Sequence, residues 1–434
     1  MSNLKELLQF IDKSVTAYHS IENASKMLQN DGFIYIPESK KFDVIKGGKY
    51  YTTRNGTSLI AFKIGENISN DYSFNITASH GDSPTFKVKP NNNIDTGKYQ
   101  KISVEAYGGM ICSTWFDRPL SIAGRVSISS EYGIENRLVN IDKDLLVIPN
   151  MAIHMNRMAN EGFKYNLAID MQPMMYSQTK TSLTAILAKE LNVKEDEIIG
   201  QDLFLYNRNK SVVVGENEEI FLAPRIDDLE CAYTTLVGLL SSNNSNSISV
   251  YCLFDNEEVG SHTRQGAAST FLYDTLERIN ASLGNSKEDL VKALSSSFMV
   301  SSDNAHAVHP NHPELSDPLN KVFMNEGVVI KHNAAQSYTT DGISSAVFKK
   351  ICQKANVPVQ HFTNRADLRG GGTLGNISTS QVSIMSVDIG LAQLAMHSAY
   401  ELAGCKDVDY MIDAIKEFYN TTILLDDNGN IVLK

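Results

Sequence analysis

The chain has 434 residues, and its 42% hydrophobic and 21% charged residues are typical of a globular protein and exclude a disordered chain. Its 50 acidic residues outnumber 39 basic ones, and the net charge of −11 argues against general binding to nucleic-acid phosphates. No apolar run is long enough to span a bilayer, and the charged N-terminal segment lacks the apolar stretch of a signal peptide, so neither membrane insertion nor secretion is expected.

The first part of the chain predicts helices followed by a strand that ends in polar residues. Apolar side chains recur at helical spacing within residues 4–11, and a second helix is expected around 21–28. Residues 72–79 (YSFNITAS) predict a strand that runs into His80. Pro84 lacks the N–H of a ladder hydrogen bond, so the polar residues before it are expected at the end of the strand.

Residues 92–220 predict a mostly β module. Short alternating stretches, such as 125–129 (RVSIS) and 137–141 (RLVNI), are separated by turn residues. The Asn- and Gly-rich segment 91–97 and the acidic segment 215–219 are expected to be its two borders.

Residues 221–434 predict alternating strands and helices. The predicted strands are 221–226, 248–254, 298–302 and 382–389, and the predicted helices are 229–240, 342–355 and 391–403. This alternation indicates a largely parallel sheet with helices on both faces. We therefore predict an α/β fold in which residues 1–91 and 221–434 form one discontinuous domain and residues 92–220 are inserted.

The cysteines are widely separated in the sequence. There are five of them, without any C-x-x-C pair: Cys112, Cys231, Cys252, Cys352 and Cys405. This pattern argues against a disulfide framework and against a thiolate metal site. It favours a reducing compartment, and we expect a cytoplasmic protein.

Side chains that can bind metals follow the predicted strands. In open α/β sheets, ligands bind at the carboxyl ends of the strands. The residues concerned are His80, the pairs Asp227-Asp228 and Glu257-Glu258, Asp303, and His397 in the predicted helix 391–403. Imidazoles and carboxylates together suit Zn²⁺, Co²⁺ or Mn²⁺. Because one zinc ion needs only three protein ligands, this larger set suggests two ions with a bridging carboxylate.

The adjacent residues Glu257 and Glu258 allow two different roles. One carboxylate can bind a metal while the other accepts a proton from the activated water. Asp82 can accept the remaining ring N–H of His80 and fix the tautomer. Each residue also fits an ordinary role when taken alone: a loop histidine, a solvated acidic pair or, for Asp303, a helix N-cap.

Seven segments resemble motifs of the aspartyl aminopeptidase family (metallopeptidase family eighteen), in its bacterial branch. They are HGDSP (80–84), YGGMICSTWFDRPL (107–120), PRIDDL (224–229), FDNEEVGS (254–261), SSDNAHAVHPN (301–311), RADLRGGGTLGNIS (365–378) and VDIGLAQLAMHS (387–398). The resemblance implies a zinc-peptidase-like α/β/α catalytic domain, a β dimerisation domain inserted at 92–220, and a tetrahedral shell of twelve subunits.

The resemblance also implies a set of metal ligands. His80 and Asp303 would hold one divalent ion, Glu258 and His397 would hold the other, and Asp227 would bridge them. Zinc is the expected metal, with cobalt and manganese as alternatives.

Two further roles come from the resemblance. Glu257 would be the general base. His154 matches a histidine of the inserted domain that is thought to reach a neighbouring subunit's active site and stabilise the developing oxyanion. A structural role for His154, or a role as a metal ligand, stays open.

The family-implied preference for N-terminal Asp or Glu needs a cation or several donors in the substrate pocket. The candidate pocket residues are His306, Lys331, His332 and Arg365. The chain departs from the family pattern in the loop 330–342, where Ala335 and Ser337 flank Gln336. It also departs at Gly372, where relatives commonly have serine. Both departures weaken the argument for strict acidic specificity.

The leading hypothesis is a homo-oligomeric metallo-aminopeptidase that acts on peptides. One alternative is an aminopeptidase of broader specificity, or a metal-dependent deacylase or carboxypeptidase that uses the same centre. Another alternative is a shell-forming scaffold without activity. The scaffold hypothesis predicts that a ligand is missing, whereas every ligand implied by the resemblance is present in the sequence.

Overall fold

Helices and strands follow one another along most of the described chain, apart from the long loop between residues 140 and 174. The computed structural model describes residues 2–69, 71–176, 180–368, 370–426 and 428–434. Its α-helices are α1 Ser2–Lys13, α2 Ala17–Asn30, α3 Leu183–Leu191, α4 Ile226–Ser241, α5 Phe271–Ser282, α6 Lys287–Ser295, α7 Gly342–Lys354, α8 Leu374–Thr379 and α9 Cys405–Asn420. Within the described ranges, no helix combines the length and the apolar character needed to cross a membrane.

The strands are distributed over four sheets. They are β1 Ile34–Tyr35, β2 Lys49–Arg54, β3 Ser58–Ile64, β4 Phe74–His80, β5 Thr85–Asp95, β6 Gln100–Tyr107, β7 Leu120–Ser130, β8 Gly133–Asn140, β9 Met174–Met175, β10 Ile198–Asn207, β11 Val212–Val214, β12 Ile220–Ala223, β13 Ile248–Phe254, β14 Phe298–Ser302, β15 Ala305–His306, β16 Val328–His332, β17 Val359–Thr363, β18 Met385–Gly390, β19 Ala392–Leu394, β20 Glu401–Gly404, β21 Ile423–Leu425 and β22 Ile431–Leu433.

A nine-stranded sheet forms the centre of the larger part of the molecule, in the order β1-β2-β3-β13-β4-β14-β18-β16-β17. Strands β13, β4, β14 and β18 are parallel neighbours, whereas β3 and β16 pair antiparallel on either side of them. One face packs against α2, α4, α7 and α9, and the other packs against α5, α6 and α8. This three-layer arrangement confirms the predicted α/β class, and the sheet is largely parallel, with antiparallel pairings of β2 with β3, β3 with β13 and β16 with β18.

The sequence of the central strands explains their position. All seven residues of β13 (ISVYCLF) are buried, as expected for a β-branched and aromatic strand covered by helices on both faces. Strand β4 is also buried along its whole length and ends at His80. Because β13, β4 and β14 are parallel neighbours, their carboxyl ends meet at one edge of the sheet.

A six-stranded antiparallel sheet, in the order β8-β7-β10-β5-β6-β9, has its own hydrophobic core with α3. The earliest strand of this sheet in the sequence is β5, which begins at Thr85. Residues 85–91 therefore belong to this sheet and not to the central one. The Asn-rich segment that suggested a border at 92 is an irregularity within the pairing of β5 and β6, between Val88 and Asn93. At the other end, β11 pairs with β12 outside this sheet, although residues 212–214 lie within the predicted module.

A third sheet, in the order β11-β12-β20-β19-β15, corrects two predictions. The predicted helix 391–403 is the hairpin β19–β20, whose strands pair with β15 and β12. Apolar residues spaced like a helical face indicated the helix, but pairing with distant strands outweighs local propensity. In addition, Asp227 and Asp228 follow a strand of this third sheet, so they are not at the end of a central strand.

Candidate metal centre

The predicted metal-binding side chains converge. Three overlapping groups have ligand atoms within 4.8 Å of one another: His80, Glu257 and Glu258; His80, Asp227 and Asp303; and Asp227, Glu258 and His397. The shared members join these groups into one cluster, which contains every metal ligand that the resemblance implies and also Glu257.

Different parts of the fold deliver these residues. His80 is the last residue of β4, Asp303 follows β14, and Glu257 and Glu258 lie in a short 3₁₀ helix after β13. These three strands supply ligands at the carboxyl edge of the central sheet, as expected for an α/β fold. Asp227 comes from the first turn of α4, and His397 comes from the loop between β19 and β20.

The carboxylate of Asp227 lies between the two histidines. Its Oδ1 is 3.4 Å from Nε2 of His80 and its Oδ2 is 3.4 Å from Nε2 of His397. Oε2 of Glu258 lies 3.4 Å from the same nitrogen of His397. Asp228 has a different contact, because its Oδ2 accepts the backbone N–H of His80 at 3.1 Å. Asp227, not Asp228, therefore faces both imidazoles.

The cluster fits divalent cations. Oδ1 of Asp227 and Oε1 of Glu258 are buried without a hydrogen-bond partner among the described residues. Burial and the charge of Asp227 raise the pKa of Glu258 well above its ordinary value. Burial, together with the charges of Asp303, Asp82 and Asp227, raises the pKa of Glu257 to about 7. Such a concentration of buried carboxylates needs compensating positive charge, and two imidazoles among them suit a borderline metal such as zinc.

Asp82 supports both sides of the cluster. Its backbone oxygen lies 3.0 Å from Nδ1 of His80, and its carboxylate oxygen Oδ1 lies 3.5 Å from the same nitrogen. The predicted contact of the carboxylate with this ring is therefore made more closely by the main chain. The carboxylate accepts the backbone N–H groups of Glu257 and Glu258 at 3.2 Å each. It also accepts the hydroxyl of Tyr107 at 2.6 Å. Asp82 thus orients His80 through its main chain and the Glu257-Glu258 segment through its side chain.

Contacts with the distant segment 109–111 and with nearby Glu401 hold His397 in place. Its Nδ1 lies 3.0 Å from the backbone oxygen of Gly109, and its backbone oxygen accepts the N–H of Ile111 at 2.9 Å. Its backbone N–H donates to Oε1 of Glu401 at 2.7 Å. No role was predicted for Tyr107 or Glu401 from the sequence. Tyr107 lies in one of the quoted motifs, whereas Glu401 lies three residues beyond the last one, and local spacing could not reveal either contact.

Lys331, a candidate pocket residue, is buried. Its side chain is 3% exposed and its Nζ lies 3.6 Å from Oδ1 of Asp303. The ammonium group also donates to the backbone oxygen of Asn304 at 3.1 Å and lies over the ring of Tyr338. Lys331 therefore contributes positive charge beside a candidate ligand and does not present a free ammonium group at the surface.

The other candidate pocket residues lie nearer the surface. His306 is exposed, in the short strand β15. His332 and Arg365 line a surface depression that contains none of the candidate metal ligands. Nε2 of His332 lies 3.0 Å from Nδ1 of His361, and Arg365 forms an ion pair with Asp367. Of these four candidates, Lys331 contacts Asp303 of the cluster, and His306 follows Asp303 closely in the sequence.

His154 lies apart from the cluster of its own chain. It is exposed in the loop between β8 and β9, within the segment of the six-stranded sheet. The described groups of potential metal ligands do not include it. A metal-binding role within the same subunit is therefore not supported by the structure.

The chain is similar to aminopeptidases over nearly its whole length. Residues 10–419 match the family model described as aminopeptidase I zinc metalloprotease (M18). A relative from Clostridium novyi, named probable M18 family aminopeptidase 2, is 47% identical over 96% of this chain and 98% of its own. The aspartyl aminopeptidase of Dictyostelium discoideum is 36% identical over 97% of both chains.

Solved structures show the same similarity. A chain in the cryo-EM structure of the Ape4 and Nbr1 complex has a TM-score of 0.93 and 35% identity, over 96% of this chain and 85% of that one. A chain of the S. cerevisiae mApe1 dodecamer has a TM-score of 0.85 and 28% identity, over 96% of both. The resemblance seen in the sequence motifs is thereby confirmed: this chain belongs to the aminopeptidase I zinc metalloprotease family, M18, and is a hydrolase of the aminopeptidase class.

Proposed function

We propose that this chain is a dinuclear metallo-aminopeptidase that removes an acidic N-terminal residue from peptides. The observation that carries the dinuclear centre is the position of Asp227, whose two carboxylate oxygens each lie 3.4 Å from a different imidazole. His80 and Asp303 would hold one ion, Glu258 and His397 would hold the other, and Asp227 would bridge them. Zinc is the metal that we propose, with cobalt or manganese as replacements.

Glu257 is the general base in this proposal. Bound divalent ions would polarise the scissile carbonyl and lower the pKa of the attacking water. The carboxylate of Glu257 lies within 4.8 Å of ligand atoms of His80 and Glu258, and its backbone N–H is fixed by Asp82. In this position Glu257 takes a proton from the attacking water and delivers it to the departing amine.

The preference for acidic residues rests on the similarity to a relative named aspartyl aminopeptidase and on the positive charge of Lys331. The ammonium group of Lys331 lies 3.6 Å from Asp303, so it raises the electrostatic potential on that side of the centre. The exposed ring of His306 lies near the same strand end and can donate a hydrogen bond to a substrate carboxylate.

A panel of dipeptides tests this proposal. Dipeptides with N-terminal Asp, Glu, Leu or Lys are compared with an Asp dipeptide whose amino group is acetylated. Each assay is carried out in the presence of Zn²⁺, Mn²⁺ or Co²⁺. We expect kcat/KM for Asp and Glu to exceed that for Leu by about tenfold or more, because a site with dedicated polar partners discriminates strongly. Equal values for Asp and Leu would contradict the acidic preference, and hydrolysis of the acetylated peptide would contradict recognition of a free amine.

We also propose that the chain forms a homo-oligomer, as a tetrahedral dodecamer, in a cytoplasmic location. One of the similar structures is a dodecamer. The loop that carries His154 exposes several large apolar side chains, which favours contact with another subunit: Met151, Ile153, Met155, Met158, Leu167 and Ile169. The cysteines are free thiols, which suits a reducing compartment.

A mixing experiment tests whether His154 acts in a neighbouring subunit. Subunits with His154→Ala and subunits with Glu257→Gln are each expected to be nearly inactive. After dissociation and joint reassembly, sites that combine an intact Glu257 with a neighbour's intact His154 should regain part of the activity. No regain in oligomers that are shown to be mixed would contradict this role for His154.

A further inference from the structure

A buried carboxylate connects the two residues that face each other in the candidate centre. Glu401, at the start of β20, is 1% exposed. Its Oε2 accepts the backbone N–H of Asp227 at 3.1 Å, and its Oε1 accepts the backbone N–H of His397 at 2.7 Å. The side chains of these two donors lie 3.4 Å apart, from Oδ2 of Asp227 to Nε2 of His397. One carboxylate thus holds the main chains of both residues.

The third sheet explains how Glu401 reaches both segments. Strand β20 pairs with β12, and Glu401 lies opposite Ala223. The chain continues from β12 into the first turn of α4, where Asp227 lies. On the other side of Glu401, β20 is the second strand of the hairpin whose loop contains His397. Burying a carboxyl group is costly unless its oxygens are hydrogen-bonded. The two backbone N–H groups meet this need, together with the side-chain amide of Gln393, which donates to Oε1 at 3.4 Å.

We infer that Glu401 is a positioning residue that fixes His397 relative to Asp227 and thereby stabilises the ion on the Glu258–His397 side. This inference rests on the dinuclear centre proposed above. The site formed by His80 and Asp303 does not depend on Glu401 in the same way. His80 belongs to β4, which is paired with β13 and β14 in the central sheet, and Asp303 directly follows β14.

Metal retention in the full-length protein tests the inference. Wild type and Glu401→Gln are loaded with Zn²⁺, equilibrated with increasing chelator concentrations and analysed for zinc per subunit. The glutamine amide cannot accept both N–H groups. We therefore expect the variant to release one of two equivalents at a chelator concentration about 10-fold to 100-fold lower than wild type, the range for partners that orient metal ligands.

Asp407 supplies a matched control. It is also fully buried, and its carboxylate also accepts two backbone N–H groups, from Asn325 at 2.6 Å and from Gly327 at 2.9 Å. The variant Asp407→Asn should lose stability for the same reason as Glu401→Gln. It should nevertheless retain both zinc equivalents over the same chelator range as wild type.

The outcomes separate this inference from the proposed function. Fewer than two equivalents in wild type would contradict the dinuclear centre, whatever the variants do. With two equivalents in wild type, an unchanged release curve for Glu401→Gln would overturn the inference. The same loss in Asp407→Asn, or simultaneous loss of both ions in Glu401→Gln, would also overturn it. If Glu401→Gln does not fold, Glu401→Asp should show the selective release in weaker form, and an unchanged curve would again overturn the inference.

Discussion

The two sides of the candidate centre contain similar ligands but are built differently. On the strand side, His80 lies within a central strand, and its side chain is 1% exposed. On the loop side, His397 lies in a hairpin loop with a backbone φ of 67°, and its side chain is 32% exposed. A buried strand positions the first histidine, whereas Gly109, Ile111 and Glu401 position the second.

One site can thus combine a ligand that a buried strand holds in place with a ligand that a few loop hydrogen bonds hold in place. The ladder hydrogen bonds of β4 to its neighbours fix the strand side whether or not an ion is bound. His397 on the loop side relies on a few hydrogen bonds, with Gly109 and Ile111 far away in the sequence and with Glu401 on the adjoining strand. A bound ion would add a further link. Substitutions should therefore affect the two sides unequally, except at Asp227, which both sides share.

Asp227→Ala should have the largest effect. Removing the shared carboxylate takes a ligand from both ions, so we expect both to be lost and peptide hydrolysis to fall to background. Zinc analysis and a dipeptide assay measure the two effects. Asp228→Asn is the control, since its side-chain oxygen can still accept the N–H of His80. Retention of both ions by Asp227→Ala would show that the two sides do not share this ligand.

Glu257→Gln should separate catalysis from metal binding. We expect turnover to fall by about 10²-fold to 10⁴-fold, the usual contribution of a general base, while zinc content stays at the wild-type value. Its neighbour provides the comparison, because Glu258→Gln should weaken the ion on the loop side. Near-normal turnover in Glu257→Gln would exclude it as the base. Loss of zinc there would instead indicate that Glu257 is a ligand.

His80→Ala and His397→Ala should differ in the stability of the metal-free protein. In that state His80 faces Asp227 and the main chain of Asp82 from a buried position, and removing one partner of a buried ion pair costs about 3–5 kcal/mol. His397 is partly exposed, so its removal should cost less. Thermal unfolding in excess chelator measures which of the two variants loses more stability. An equal or larger decrease in melting temperature for His397→Ala would contradict the proposed difference between the sides.

The ligands that follow central strands are the ones that the sequence could predict, and Glu258 of the loop side is among them. A continuous apolar stretch, such as 248–254, followed at once by acidic residues indicates both the strand and the edge at which its ligands lie. The same reasoning applies to His80 after β4 and to Asp303 after β14. The fold class could also be predicted correctly, because strands that are buried on both faces appear in the sequence as continuous apolar runs. The assignment of metal-binding roles stays a prediction.

The loop side depends on contacts that local pattern does not encode. The apolar residues of 391–403 fit a helix equally well, and only pairing with β12 and β15 makes this segment a hairpin. Asp227 follows a strand of the third sheet. The sequence pattern had predicted that it lies at the end of a central strand. Glu401 accepts one N–H four residues away, from His397, and one far away in the sequence, from Asp227. The second contact depends on the third sheet, so the sequence spacing carries no information about it.

Tyr107→Phe should have the smallest effect, and this effect should concern both the strand side and the loop side of the centre. The hydroxyl of Tyr107 donates to the carboxylate of Asp82, which in turn accepts the N–H groups of Glu257 and Glu258. A hydrogen bond to a charged group contributes about 1.5–3 kcal/mol to stability. We expect about 1.4 kcal/mol of this to appear in the reaction barrier, which lowers kcat about tenfold, with both ions retained.

The phenylalanine ring keeps the edge-to-face contact of Tyr107 with Phe204, so core packing should not change. The effect can then be assigned to the two hydrogen bonds of the hydroxyl, which donates to Asp82 and accepts the side-chain amide of Asn256 at 2.9 Å. Measuring kcat, KM and zinc content together tests this assignment. Loss of only the loop-side ion would show that Asp82 acts chiefly through Glu258. An unchanged kcat would show that the two backbone N–H groups hold Asp82 in place without the hydroxyl, and the link between the two sides would then be the main chain of the Glu257-Glu258 segment.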